Sequence, residues 1–308
     1  MTALVVREIT NETPSIVGIR LENPDASPLP AWEPGAHIDV QLITRHERQY
    51  SLCGDPADTG AYRIAVRREP SSRGGSHYIH SFLRVGSTVW VRPPRNLFAL
   101  GDASSYLLLA AGIGITPILS MARHLAATGA DWRLVYLARS RDDVAFQQEL
   151  AVFGDRASTH ISRERGRLDA SQLLHGLTAD TDVYACGPQG FIDALVGAGT
   201  MLPQGPRLHV ERFEPKKREF RPDEAFSVGC ARSEVTVEVP AGRSMLKALQ
   251  GAGVEVRGSC LRGVCGSCAL RVLDGTPEHR DSLNTDDVST TIYPCVSRAL
   301  SPRLVVDA

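Results

Sequence analysis

The sequence predicts a multidomain chain of three parts: a small antiparallel β-barrel, an α/β domain built on a parallel sheet, and a compact α+β domain at the C-terminal end. Three observations point there. Residues 1 to about 100 carry short alternating apolar runs, Ile38 to Leu42, Tyr62 to Val66 and Val89 to Val91, separated by glycine and proline turns; that period of two belongs to half-buried strands. From about residue 104, solid apolar strands alternate with helices, the pattern of a doubly wound parallel sheet. Near the C-terminal end Cys260, Cys265 and Cys268 form a C-x4-C-x2-C run, and Cys295 follows at a distance. The resulting boundaries are 1–101, 102–213, a linker at 214–226, and 227–308.

In the barrel, Arg48-Gln49-Tyr50-Ser51-Leu52 reads as a strand. An arginine can hold a phosphate through two hydrogen bonds, and a tyrosine two residues later lies on the same side, where its ring can pack on a flat cofactor. Arg73-Gly74-Gly75-Ser76-His77 offers backbone amides and a hydroxyl, the materials of an anion nest, or else an ordinary surface turn. The middle domain begins with a strand, Tyr106 to Ala111, then Gly112-Ile113-Gly114-Ile115-Thr116-Pro117 and a helix to Thr128. Glycines at such a turn let the backbone approach a pyrophosphate at the helix N-terminus, and Pro117 fits a first helical turn because its missing amide hydrogen is not needed there. Next come a strand at Arg133 to Leu137, a helix near Ala145 to Val152, and strands near Thr159 to Ser162 and at Val183 to Cys186. Cys186-Gly187-Pro188-Gln189-Gly190 follows the last of these, so both glycine motifs face one crevice at the carboxyl edge of the sheet. The linker Glu214 to Glu224 has nearly balanced charge and reads as a solvated strap, and the last domain has one clear helix, Ser244 to Ala252.

The cysteine spacing is that of the plant-type [2Fe–2S] ligand set. Two irons sharing two sulfides need four thiolates, and Gly258, Gly263 and Gly266 allow a tight loop to present three of them. A zinc site more often uses two separate C-x2-C pairs, and a disulfide framework belongs to small secreted chains. Cys53, Cys186 and Cys230 lie outside the set and read as buried thiols.

Composition narrows the function classes. At 308 residues and net charge −1, nothing marks a nucleic-acid or anionic-membrane binder. No apolar run approaches the ~18 residues of a membrane span, and the N-terminus lacks a basic stretch followed by an apolar one. Thiolates that hold iron suit a reducing compartment, so the expectation is a cytoplasmic protein, monomeric, with no nucleic-acid or membrane partner.

Arg48-x-Tyr50-Ser51-Leu52, Gly74-Gly75-Ser76, Gly112-Ile113-Gly114-Ile115-Thr116-Pro117, Cys186-Gly187-Pro188, Glu211-x-Phe213 and the cysteine set occur in the order found in the phthalate dioxygenase reductase and vanillate demethylase reductase family, which this chain resembles over essentially its whole length. The resemblance implies a ferredoxin-reductase-type barrel holding FMN, a domain binding NADH or NADPH, and a plant-type ferredoxin (β-grasp) domain. By that resemblance Arg48 and Ser76 would hold the flavin phosphate. Tyr50 and Ser51 would border the ring, Val66 and Arg67 the ring or ribityl chain. Thr116 would sit where the two sites meet, Phe213 would cover the flavin face that the nicotinamide must reach, and Cys186 would border that place. A nicotinamide delivers two electrons together and the cluster accepts one, so a flavin between them must divide the pair.

Two features depart from the family. Arg139-Ser140-Arg141 follows the second strand where an acid for the ribose hydroxyls is expected, and suits a 2′-phosphate or plain surface charge. Leu261-Arg262 replaces an acid in the cysteine loop, and a positive charge there should raise the cluster potential. His279-Arg280-Asp281 matches the family and is expected to make structural hydrogen bonds. No C-x-H pair for a Rieske centre is present in the sequence, so oxygen chemistry is expected in a separate terminal oxygenase of Rieske type. A haem-thiolate partner, or a zinc-stabilised nucleotide-binding redox sensor, remains open.

Overall fold

The structure, a computed structural model, describes residues 1–42, 47–70, 74–202, 205–216, 218–283 and 289–308. Arg73 and Lys217 lie outside the described residues. The chain forms two compact units, Met1–Arg212 and Phe213–Ala308.

The first unit opens with a wholly antiparallel sheet of β1 (Thr2–Thr13), β2 (Ile16–Glu22), β3 (Ala36–Gln41), β4 (Glu47–Ser51), β5 (Tyr62–Arg67), β6 (Thr88–Val91) and β7 (Arg95–Asn96), with α1 (Gly75–Ser81) between β5 and β6. The strand path is β4-β3-β6-β1-β2-β5, with β7 beside β3. β1 breaks register after Val6 and after Asn11, which lets one strand follow two neighbours in a bent sheet. Leu4, Val6, Ile19, Ile38, Leu52 and Ile64 fill the interior. A continuous closing ladder is not found among the described residues: the two edges meet at one bridge, Leu52 to Ile64, beside Cys53 N donating to Arg63 O at 2.9 Å.

The same unit continues through β8 (Ser105–Ala111), α2 (Ile115–Thr128), β9 (Trp132–Ala138), α3 (Gln147–Val152), β10 (Ala157–Ile161), α4 (Ser162–Arg165), α5 (Ala170–Leu174), β11 (Thr181–Cys186), α6 (Gln189–Thr200) and β12 (Arg207–Glu211). The sheet order is β10-β9-β8-β11-β12, all parallel. The chain winds outward from β8 in one direction and then from β11 in the other, which makes the switch point, and hence the ligand crevice, fall between β8 and β11. β12 is an edge strand that the sequence hides, because Leu208 and Val210 are its only apolar residues. Charges tie the two sheets of this unit together. Arg63 of β5 pairs with Glu12 at 2.9 Å and with Glu149 of α3 at 2.7 Å, while Arg123 of α2 pairs with the same Glu149 and donates to Cys53 O.

The second unit contains β13 (Phe226–Cys230), β14 (Val235–Val239), α7 (Met245–Gly251), β15 (Leu270–Asp274), β16 (Pro277–Glu278), β17 (Thr291–Ile292), β18 (Arg298–Ala299) and β19 (Arg303–Val306). Its main sheet runs β14-β13-β19-β15-β17, with β13 and β19 parallel and the other pairs antiparallel. Ser244 caps α7, whose Met245, Leu246, Ala248 and Leu249 are buried on that sheet. The strap is exposed over 218–225, as expected, and is also fastened to this unit. Asp223 pairs with Arg280 at 2.6 Å and with the buried Arg298 at 3.5 Å, Arg280 lies over the Phe220 ring, and Arg221 donates to Ala299 O. The strap's charges have partners that only the fold brings near. His279-Arg280-Asp281 takes the structural role expected of it: His279 Nε2 bonds Ser289 O, and Asp281 accepts from Leu283 N and Ser297 Oγ.

Candidate functional site

Ala111 ends β8 level with Leu137 of β9, and Ala110 lies beside Cys186 of β11, so the two glycine motifs leave the sheet side by side. Their glycines do different things. Gly112 adopts φ 56°, a left-handed conformation that a side chain disfavours, and an added Cβ would meet nothing nearer than Arg67 at 4.0 Å. A Cβ on Gly114 would overlap the Cys186 carbonyl, and one on Gly187 would lie 2.8 Å from Ala111 Cβ. Gly112 therefore keeps open space toward the crevice, whereas Gly114 and Gly187 are required by the packing of one loop on the other. Pro188 precedes α6, and the Thr116 hydroxyl donates to Ile113 O at 3.0 Å, closing its own turn.

At the mouth of this crevice the fold assembles a group the sequence reading named only in part. Cys186 at the end of β11 is level with Glu211 at the end of β12, and its thiol donates to Glu211 Oε2 at 3.9 Å. Ser51, at the end of β4 in the other sheet, lies near enough to the Glu211 carboxyl to favour its ionised form. Desolvation pushes Glu211 up to about 8, against the opposing pull of those two groups. Burial also pushes the Cys186 thiol well up, so it stays protonated. A carboxyl protonated near neutrality donates as well as accepts. Ser51, Glu211 and Cys186 thus hold a proton at the crevice mouth without placing a full charge there. Glu211 sat in a quoted motif, but no local signal gave it a role, because its strand was not legible.

The other barrel residues gather nearby in the same unit. Arg48 lies against the start of α1: a Cβ on Gly75 would lie 3.2 Å from Arg48 Cγ and 3.3 Å from Nε. Arg48 thus packs against the Gly74-Gly75 turn at a distance that needs glycine, beside Ser76, groups of the kind that hold a phosphate. Here Ser76 Oγ accepts from Glu69 N at 3.1 Å. Tyr50 is half-buried against the barrel core. Val66 is buried with its carbonyl bonded to His80 Nε2, and Arg67 pairs with Glu69. Phe213 is the first residue of the second unit and is half-buried.

The loop after β9 differs from its sequence appearance. Arg141 is bound at two points by Glu164, at 2.7 and 3.0 Å, and Ser140 Oγ donates to Asp143 Oδ2 at 2.6 Å. Arg139 is exposed, and its carbonyl accepts from Arg163 N. Glu164 and Arg163 belong to α4, the short helix directly after β10, which sequence reading did not single out.

In the second unit the four cysteines come together in two pairs. Cys260 interacts most strongly with Cys265, and Cys295 with Cys268. Among the described residues no three metal-binding side chains converge on one point. Four clustered thiols match the four-cysteine ligand set of a two-iron cluster. Gly263 and Gly266 turn the loop with φ 68° and 66°, and Leu261 turns it at φ 58° without being glycine. Gly258, by contrast, is needed for packing, since a Cβ there would strike Leu246. Arg262 contributes its backbone, donating N–H to Cys260 Sγ at 3.3 Å.

The chain is an NAD(P)H-dependent flavin iron–sulfur oxidoreductase, with a [2Fe–2S] cluster and a nicotinamide dinucleotide among its cofactors. Comparison with known proteins agrees. The 2Fe-2S iron-sulfur cluster binding domain matches residues 229–300, and the oxidoreductase NAD-binding domain matches residues 108–196. The chain is 42% identical to the heme-dependent oxidative N-demethylase beta subunit of Ectopseudomonas mendocina over 92% of its own length and 91% of that protein. It is 39% identical to the vanillate O-demethylase oxidoreductase of a Pseudomonas species over all of both chains. Phthalate dioxygenase reductase superposes with TM-score 0.73 at 36% identity, covering 99% of this chain and 97% of that one. An intact self-sufficient cytochrome P450 monooxygenase superposes with TM-score 0.92 at 38% identity; this chain matches it throughout but spans 41% of its length. The chain belongs to the phthalate dioxygenase reductase and vanillate O-demethylase oxidoreductase family, the reductase components of oxygenase systems.

Proposed function

We propose that this chain is the reductase of a Rieske-type oxygenase system, with residues 1–101 holding FMN, 102–213 the nicotinamide dinucleotide, 214–226 linking, and 227–308 holding the cluster. Arg48 and Ser76 hold the flavin phosphate, and Tyr50, Ser51, Val66 and Arg67 line the flavin. Gly112, Gly114, Thr116, Gly187 and Pro188 shape the nucleotide crevice. Cys186 and Phe213 border the place where nicotinamide meets flavin, and Cys260, Cys265, Cys268 and Cys295 ligate iron. When bound, the flavin takes up electrons in a pair and passes them on singly to the cluster. The protein's own work is placement, since holding donor and acceptor in register supplies most of the rate. The observation that carries this reading is the convergence of Ser51, Glu211 and Cys186 from three strands of two sheets at the crevice mouth.

A second reading takes a haem enzyme as the partner. It is favoured by the 42% identical subunit of a heme-dependent N-demethylase and by the P450 superposition. The protein is proposed to be cytoplasmic and monomeric; no described helix is long and apolar enough to cross a membrane. Purified protein is expected to release about one FMN and to contain about two irons per chain. It should then drive product formation by a Rieske oxygenase at the expense of NADH or NADPH. FAD as the main flavin, or zinc in place of iron, overturns the cofactor assignment; turnover with a haem oxygenase alone selects the second reading.

A further inference from the structure

We propose that Glu164 is a positioning residue that sets nucleotide choice: by holding Arg141 in a two-point ion pair it withdraws that arginine from a 2′-phosphate and so favours NADH over NADPH. The assignment rests on the reading of the crevice between β8 and β11 as the nucleotide site. β9 and β10 are parallel neighbours with Leu137 beside His160 and Ala138 beside Ile161. Their following segments therefore leave the same edge of the sheet together, and Arg163 N donating to Arg139 O at 3.1 Å ties one to the other. A dinucleotide laid across the switch point brings its adenosine ribose to the loop after the second strand. An acid there suits the free hydroxyls of NAD, and an arginine suits the 2′-phosphate of NADP.

This loop offers arginines that look made for phosphate, yet its best-placed groups are engaged. Arg141 presents Nε and NH2 to Oε1 and Oε2 of Glu164. That is the fork face a phosphate would need. Ser140 has its hydroxyl on Asp143. The pair is exposed, with 80% of the arginine side chain and 41% of the glutamate side chain accessible. Exposed pairs are weak, so Glu164 biases the choice without forbidding NADPH.

The test measures bleaching of flavin absorbance by NADH and by NADPH in the intact protein, comparing wild type with Glu164→Gln, Glu164→Asp, Arg141→Ala and the Glu164→Gln/Arg141→Ala double variant. Glu164→Gln is expected to raise the NADPH to NADH ratio of kcat/KM by about three- to fivefold at low salt, with less gain as salt is added. Glu164→Asp should keep most of the wild-type preference, and the double variant should return to the wild-type ratio. An unchanged ratio in Glu164→Gln, or a gain that persists without Arg141, overturns the assignment. If neither nucleotide bleaches the flavin of the wild-type protein, the crevice reading itself falls, and this assignment with it.

Discussion

The cysteine loop and the crevice mouth are two ways of building a redox site. In the loop, three of four thiols lie within nine residues, Cys260 to Cys268, and only Cys295 is distant. At the crevice mouth no two of Ser51, Cys186 and Glu211 are neighbours in sequence, and each stands at the end of a different strand. A metal cluster demands a fixed number of one kind of ligand, so spacing announces it. A site that positions flat rings demands shape and a few polar groups, which many sequences can supply.

If the two sites are as separable as this contrast suggests, breaking one should spare the other. Cys265→Ser is expected to remove the cluster and to lower cytochrome reduction by on the order of 100-fold or more, while flavin bleaching by nicotinamide stays within about threefold. Iron content, visible absorbance and ferricyanide reduction check it. Equal loss of both activities would show that the two units work as one.

A smaller effect is expected at the crevice mouth, where single neutral hydrogen bonds are at stake. Ser51→Ala and Glu211→Gln should each slow flavin reduction by about tenfold, the worth of one such bond. Glu211 also predicts a pH signature. Its folded pKa, about 8, lies above its ordinary carboxylate value. The folded state then holds a proton that the unfolded chain has released, and stability contributed by this group declines as pH rises from the ordinary carboxylate range through about 8. Glu211→Gln lacks that decline, so its melting temperature should gain on wild type between pH 5 and 9. A constant difference across that range would place the Glu211 carboxyl in contact with water.

The smallest effects sharpen the distinction between the two glycines. Gly114→Ala forces a Cβ into the Cys186 carbonyl and should cost about 1–3 kcal/mol of stability. Gly112→Ala meets open space but a left-handed backbone, at about 1–2 kcal/mol. Denaturant unfolding separates them, and nucleotide affinity should fall further at Gly112, which borders the crevice, than its stability loss implies. Equal, proportionate losses would mean that both glycines serve packing alone.

Much of the fold was legible. The solid strand Tyr106 to Ala111, the helix after it and the strand ending at Cys186 appear within a residue or two of their expected places, because long apolar runs bounded by glycine leave few alternatives. β12 was not legible, since an edge strand of mixed polarity carries no clear period, and Glu211 was lost with it. The strap around Asp223 is exposed as expected, but its partners Arg280 and Arg298 were not legible because they are more than fifty residues away. The arginines after β9 looked free because Glu164 sits in α4, which follows the neighbouring strand β10.

What the sequence by itself determined is what local chemistry fixes: strand and helix periods, the glycine turns, and four thiols at a spacing suited to two irons. The tertiary structure alone decided which charges are paired, which glycines serve packing, and that Ser51, Cys186 and Glu211 meet. The reason is physical. Backbone preference and ligand count act over a few residues, whereas ion pairing, desolvation and steric exclusion depend on distances that the chain acquires only when its sheets have formed.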